Sequence, residues 1–138
     1  MAKRVIMFRG WDAEGRKGWV YGDLVHNKKV NKTEPYLTDR LMVGGYEVVP
    51  ESVGQFTGLY DFDNKPIFEG DLIYTRFDDK KPFGSVEYHS DGYFFINDGS
   101  PFDNHSTLGK MLRHNVDGRY AELKVKGTTY DIRTEQKK

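Results

Sequence analysis

The sequence predicts a mainly β fold built around a small barrel, and three observations carry that reading. Apolar runs are short and broken by glycine- and aspartate-rich stretches rather than drawn out at helical spacing. Aromatic residues make up 14% of the chain beside fifteen glycines, a composition suited to closely spaced strands and tight turns. The stretch Val53–Ile73, VGQFTGLYDFDNKPIFEGDLI, sets two apolar segments around a polar turn, then uses Glu-Gly-Asp to enter a further strand.

Val5–Phe8 and Trp19–Val25 are the first expected strands, separated by the turn cluster Asp12-Ala13-Glu14-Gly15. His26–Pro35, HNKKVNKTEP, is polar and basic and is expected as a surface loop. Tyr36–Val43 is ambiguous, and Tyr46–Val49 is a short strand stopped by Pro50. Val53–Leu59 and Pro66–Phe68 form a hairpin turning at Asp63-Asn64, residue types that tolerate positive φ. Leu72–Phe77 follows Gly70-Asp71 and leads to a charged tip, Asp78–Pro82. Ser85–Tyr88 and Tyr93–Ile96 flank Asp91-Gly92, the clearest hairpin signal in the chain. The period then changes. Leu108, Met111, Leu112 and Asn115 recur at helical spacing with Ser106 or Thr107 placed to cap, so one short helix is expected near Thr107–His114. Leu123–Val125 and Thr128–Ile132 are expected as a closing pair of strands joined through Lys126-Gly127.

Composition excludes several kinds of chemistry. The chain has no cysteine, so disulfides, thiolate zinc sites, iron–sulfur ligation and cysteine nucleophiles are ruled out. Basic and acidic residues number 21 each, and this zero balance gives no support to a module held mainly by phosphate contacts. No run approaches the roughly 20 apolar residues of a membrane span, and Val5–Phe8 is too short for a signal peptide before Arg9. A soluble cytoplasmic protein is expected.

Each constellation that resembles a site has a plainer use. Asp61-Phe62-Asp63-Asn64-Lys65 opens like a calcium loop, but Lys65 stands at the third ligand position and the closing Glu is missing. Glu69 and Asp71 could serve as an acid–base pair, yet carboxylates around a glycine bend more often cap backbone amides. His26, His89, His105 and His114 form no metal-binding spacing, although Asp103-Asn104-His105 could meet His89 in space. Ser52, Ser85, Ser90, Ser100 and Ser106 lack a nucleophile elbow. Trp11, Trp19, Tyr21 and Tyr36, with Arg9, Arg16, Lys17, Lys28 and Lys29 nearby, could line a stacking surface, but small barrels need such rings as core. No catalytic, cofactor-binding or metal-binding residue is assigned, and no cofactor is expected.

Arg9 and Trp11, then Val48-Val49-Pro50, Val53–Leu59 and Ile67–Asp71, together resemble the YopX family of small proteins from bacteriophages and prophages, chiefly of Gram-positive bacteria. The resemblance runs from about Arg4 to Asp131, and members typically carry Asn-Gly where this chain has Asp63-Asn64. It implies an all-β fold with an SH3-like barrel, here a single domain over 1–138. Its barrel core would lie at about 53–100, after N-terminal strands and a loop in 1–50, with the helix and C-terminal hairpin in 101–138. It implies no reaction. The shared residues specify backbone: Gly54, Gly58 and Gly70 for close approaches or bends, Phe56 and Phe68 for core, Asp71 for turn capping.

The expected function is therefore that of a non-enzymatic phage accessory protein that binds a macromolecule, first a host or phage protein. Nucleic acid is the alternative partner, and a cryptic hydrolase a distant third reading. The unbroken apolar run Tyr93-Phe94-Phe95-Ile96 has no polar face, so unless the helix covers it the strand leans towards a homo-oligomer. The charge balance carries its own prediction. Duplex DNA should bind more weakly than about 10 μM at near-physiological salt, as read by fluorescence anisotropy.

Overall fold

Residues 4–30, 37–75, 78, 80–99, 107–113 and 123–131 are described in the computed structural model. The chain divides into two units, Met1–Phe56 and Thr57–Lys138.

In the first unit, β1 (Phe8–Trp11) and β2 (Trp19–Gly22) pair antiparallel, with Phe8 opposite Gly22 and Trp11 opposite Trp19. The first strand thus starts three residues later than the sequence suggests. The ladder to β2 ends at Phe8, so Val5 and Ile6 lie beyond its end and stay 60% and 57% exposed. The expected strand Trp19–Val25 breaks at Asp23: Gly22, at φ 148, lies against the backbone of Gly44 and turns the chain into β3 (Leu24–Val30). β3 pairs along its whole length with β4 (Leu37–Val43), from Leu24 opposite Val43 to Val30 opposite Leu37. The expected loop over His26–Pro35 is thereby corrected. Its first five residues are strand, because a hairpin ladder satisfies backbone groups whatever the side-chain polarity. Asn27 even serves the pairing, its Oδ1 accepting from Arg40 Nε at 2.6 Å. The remainder of that run, 31–35, lies outside the described residues.

Gly44 and Gly45, at φ 59 and 89, make the two-residue turn into β5 (Tyr46–Val48), the conformation that matches strand twist in a tight hairpin. A 3₁₀ turn at Pro50–Ser52 follows, then β6 (Gly54–Tyr60), whose first residues pair with β1. Val20, Val43 and Val48 form the core here, with Phe8, Leu24, Leu41 and Val53 around them. Gly10 is required by that packing, since a Cβ there would come within 2.8 Å of the Val48 side chain.

In the second unit, β7 (Pro66–Phe68) follows the turn after β6, and Gly70 bends the chain into β8 (Asp71–Tyr74). β9 (Gly84–His89), β10 (Tyr93–Asn97) and β11 (Lys124–Thr128) complete a sheet ordered β10-β9-β8-β11. β8 is shorter than the expected Leu72–Phe77, and Phe77 lies outside the described residues. The expected C-terminal hairpin is instead one strand. Lys126 and Gly127, the latter at φ 74, form an irregularity inside β11 between Val125 and Thr128, and 129–131 turn helical.

The mainly β expectation holds, and the SH3-like barrel is not confirmed. Among the described residues there are three antiparallel sheets, and none closes on itself. β10 and β11 stand at opposite edges of theirs, so this arrangement is open where an SH3-like barrel would be closed. The helix is as expected: α1 (Leu108–Arg113) is capped at Thr107, whose Oγ1 accepts the Lys110 amide at 3.2 Å. Its Leu108, Met111 and Leu112 join Ile67, Ile73, Val86, Ile96 and Leu123 in the core, with Phe94 against them. The helix therefore packs into the cluster that holds Phe94 and Ile96, while Phe95, pointing the other way, is 8% exposed and stands edge-on to His89. Both faces of β10 are thus at least partly covered within the chain.

Two hairpins use the same device. In 61–65 and in 89–93 the first residue's side chain accepts the amide two residues on, from Asp63 N to Asp61 Oδ1 and from Asp91 N to His89 Nδ1. In both, the first carbonyl accepts the amide of the fourth residue, which sits at positive φ: Asn64 at 62 and Gly92 at 94. Such a three-residue loop with a left-handed last residue is a common hairpin solution. Asp91-Gly92 thus belongs to a loop of three residues, 90–92. Among the described residues Asn64 alone is a non-glycine at positive φ, as the Asp63-Asn64 turn predicts. Asn64→Gly should be neutral or mildly stabilising, and Asn64→Val should cost about 1–2 kcal/mol. Equal melting temperatures for the two variants would remove the left-handed requirement.

Candidate functional site

Asp61 and Asp71, two of the carboxylates weighed as site residues in the sequence, hold backbone amides. Asp61 is 6% exposed; its Oδ1 accepts from Asp63 N and Lys65 N, both at 2.8 Å, and its Oδ2 from Val125 N at 2.9 Å. Oxygens turned onto three amides are not presented to a calcium ion. Asp71 is 1% exposed and its Oδ2 accepts the Phe68 amide at 2.7 Å, closing the bend at Gly70. Asp12 accepts Glu14 N at 3.1 Å and Lys17 N at 3.2 Å. Ser52 is buried, its Oγ accepting Trp11 N at 2.7 Å and donating to Val49 O at 2.6 Å. It is a strut, not a nucleophile.

His89 stacks on Tyr93 with ring centroids 4.6 Å apart, and His26 lies within β3. Asp103, Asn104, His105, His114, Ser100 and Ser106 fall outside the described residues. Among the described residues no group of three or more His, Cys, Asp or Glu could hold a metal ion. No helix among them is long and apolar enough to cross a membrane.

The aromatic and basic residues of the first unit divide between core and surface. Arg9 is 7% exposed with its guanidinium 4.7 Å from the centre of the Trp19 ring, and Trp11 meets Trp19 edge-on at 5.4 Å. These three are packing, while Tyr21 is exposed. The side chains of Lys28, Lys29 and Tyr36 fall outside the described residues. A pocket of about 320 Å³ opens between the Asp12–Lys17 loop and Gly45–Glu47. Glu14 and Glu47 face Arg16 and Lys17 around Tyr46 there, and Arg16 already meets Glu14 at 3.8 Å. Mixed charge of this kind selects neither anions nor cations.

The second unit has a surface that sequence reasoning missed. Lys124 and Tyr74 are direct cross-strand partners on β11 and β8. The Lys124 ammonium lies 5.7 Å from the centre of the Phe62 ring, and the Lys126 ammonium 5.5 Å from that of Tyr74. Phe62 is 54% exposed, held beside β11 by the hydrogen bond that its backbone N–H donates to Leu123 O at 3.0 Å. Asp63 stands 3.8 Å from the Lys124 ammonium. Rings and ammonium groups therefore lie side by side across Phe62, Lys124, Tyr74 and Lys126. The alternation Leu123-Lys124-Val125-Lys126 was a usable signal for the lysine face; nothing local announces the rings.

A family model described as YopX protein matches residues 7–131. The chain belongs to the YopX family. No curated protein and no solved structure matches it. Of the shared positions expected to specify backbone, Phe56 and Phe68 are buried, and Gly58 and Gly70 take φ 85 and 93. Asp71 makes its cap. None of them lies on the ring–lysine surface.

The Asp61 geometry is testable. Asp61→Ala strands three amides and should lower stability by roughly 2–4 kcal/mol, since bonds to a charged acceptor are the stronger ones. Asp61→Asn should rescue little, because its amide nitrogen would face another donor. Calcium should leave the melting temperature of the unaltered protein unchanged. Calorimetry of the three proteins checks all of this.

Proposed function

We propose that this YopX protein is a non-enzymatic binding module, a phage or prophage accessory protein acting on a macromolecular partner in the cytoplasm of the host bacterium. One observation supports this reading above others: Asp12, Asp61 and Asp71, the buried carboxylates best placed for chemistry, each hold backbone amides. A carboxylate whose oxygens are engaged by backbone amides inside the fold is not presented to a substrate, which general acid–base chemistry requires. Exposed rings remain instead, with Tyr21, Tyr60, Phe62 and Tyr88 all more than half exposed. Aromatic side chains on a surface suit recognition, since they offer large contact area at low entropic cost.

On this reading the partner is a host or phage protein or a nucleic acid, and the ring–lysine surface of the second unit favours nucleic acid. The test of the module itself is co-purification. A tagged protein expressed during infection of host cells should bring down one stoichiometric macromolecule that resists washing at moderate salt. A protein recovered alone, with hydrolytic activity that survives to homogeneity and is lost on substituting one side chain, would overturn the reading.

A further inference from the structure

We infer that the surface formed by Phe62, Tyr74, Lys124 and Lys126 binds single-stranded nucleic acid. The inference rests on the binding-module reading and deepens it. A single strand offers flat bases and phosphates in regular succession, and proteins that hold it without sequence preference pair aromatic platforms with cations along the backbone. Here the pairing is already built. Phe62 presents a ring more than half exposed, and the ammonium groups of Lys124 and Lys126 lie within 6 Å of the ring centres of Phe62 and Tyr74.

The elements that carry these side chains are firmly held. Lys124 and Tyr74 are opposite residues of one antiparallel ladder, so their side chains share a face of the sheet. Phe62 is set beside them by two hydrogen bonds, one backbone to backbone from Phe62 N to Leu123 O at 3.0 Å and one from Val125 N to the Asp61 side-chain Oδ2 at 2.9 Å. A strand laid across this face would exchange ring–ammonium contacts for base–ring stacking and phosphate–ammonium pairing. Among the described residues Asp63 is the acid that meets Lys124, at 3.8 Å on the exposed turn, where such a pair is weak and readily displaced.

Charge separates this occupant from its rivals. Acidic residues outnumber basic ones over 57–138, so no long-range field draws a duplex to this unit. Two lysines alone would hold a duplex feebly, and a duplex keeps its bases stacked away from the rings. An acidic peptide could satisfy the lysines, but it would leave the rings without a flat partner.

The experiment is fluorescence anisotropy of the full chain with a labelled oligothymidylate and an oligouridylate of about 12 nucleotides. Both should bind, and the unlabelled duplex of the same length should compete at least about tenfold less well. Between about 50 and about 200 mM salt the affinity should fall only about sevenfold, as expected for two phosphates neutralised on a single strand. Phe62→Ala should weaken binding by between about fivefold and about a hundredfold, and Phe62→Trp should restore it, because stacking tolerates either ring. Lys124→Gln with Lys126→Gln should abolish the salt dependence. Since Tyr74 is half-buried, Tyr74→Leu replaces alanine there and is judged only if its melting temperature is kept.

No binding of either oligonucleotide, binding indifferent to Phe62 and the lysines, or oligoglutamate competing as well as oligothymidylate would each overturn the inference. Preference for the duplex would do the same. These failures are distinct from failure of the module reading, which stands or falls on recovery of a stoichiometric partner.

Discussion

The Asp61 carboxylate is the constraint on which the second unit's surface depends. It reaches residues separated by 64 positions in sequence, joining the turn after β6 to β11. One oxygen shapes the turn through Asp63 N and Lys65 N, and the other receives Val125 N. Removing the carboxylate would leave three amide donors competing for water, each desolvated in part and each costing about 1–3 kcal/mol if unmet. The same contacts put Phe62 next to Lys124. Stability and surface chemistry here share one side chain.

Asp61 is one example of a general habit. Asp12 ties its loop through Glu14 N and Lys17 N, Asp71 takes Phe68 N, and Asp131 accepts from both Thr128 N and Thr128 Oγ1. Asp78 does likewise for Lys80 N and Lys81 N at an exposed tip. Short strands leave many backbone groups outside ladders, and those groups need partners. A chain without cysteine has no covalent staple for such turns. Aspartate suits the task because its short side chain reaches an amide two residues on with little entropy lost.

How much of this was legible depends on how local each interaction is. The turn at Asn64, the cap at Thr107 and the break at Gly70 are decided within a few residues, and the sequence showed all three. The hairpin β3–β4 was hidden because polarity argues against burial, not against pairing; Asn27 and Arg40 meet across the ladder at no cost to it. The late start of β1 could not be read, since it depends on where β2 stops, at Gly22. Closure of the sheets was likewise invisible, because it depends on strand neighbours rather than on strands. The ring–lysine surface failed for the same reason. Lys124 and Lys126 alternate visibly with apolar neighbours, whereas Phe62 and Tyr74 arrive from β6's turn and from β8, brought over by Asp61 and by strand pairing.

A formal charge of zero gave no support in the sequence to a module held mainly by phosphate contacts, but such a sum does not describe any one face. Equal numbers of basic and acidic residues enter it, but they do not sit alike. Asp12, Asp61 and Asp71 are buried, each against amide dipoles that offset part of its field. Lys124 and Lys126 instead keep their ammonium groups over ring faces on the surface of β11, where a ligand can reach them. Part of the negative half of the balance is thus turned inward to hold backbone, while these positive groups are turned outward. What a strand of phosphates would meet at close range is the second of these, and at distances beyond a Debye length of roughly 8 Å the zero sum matters little to it. The balance therefore limits how fast a charged partner is drawn in. It does not decide what this face holds on contact.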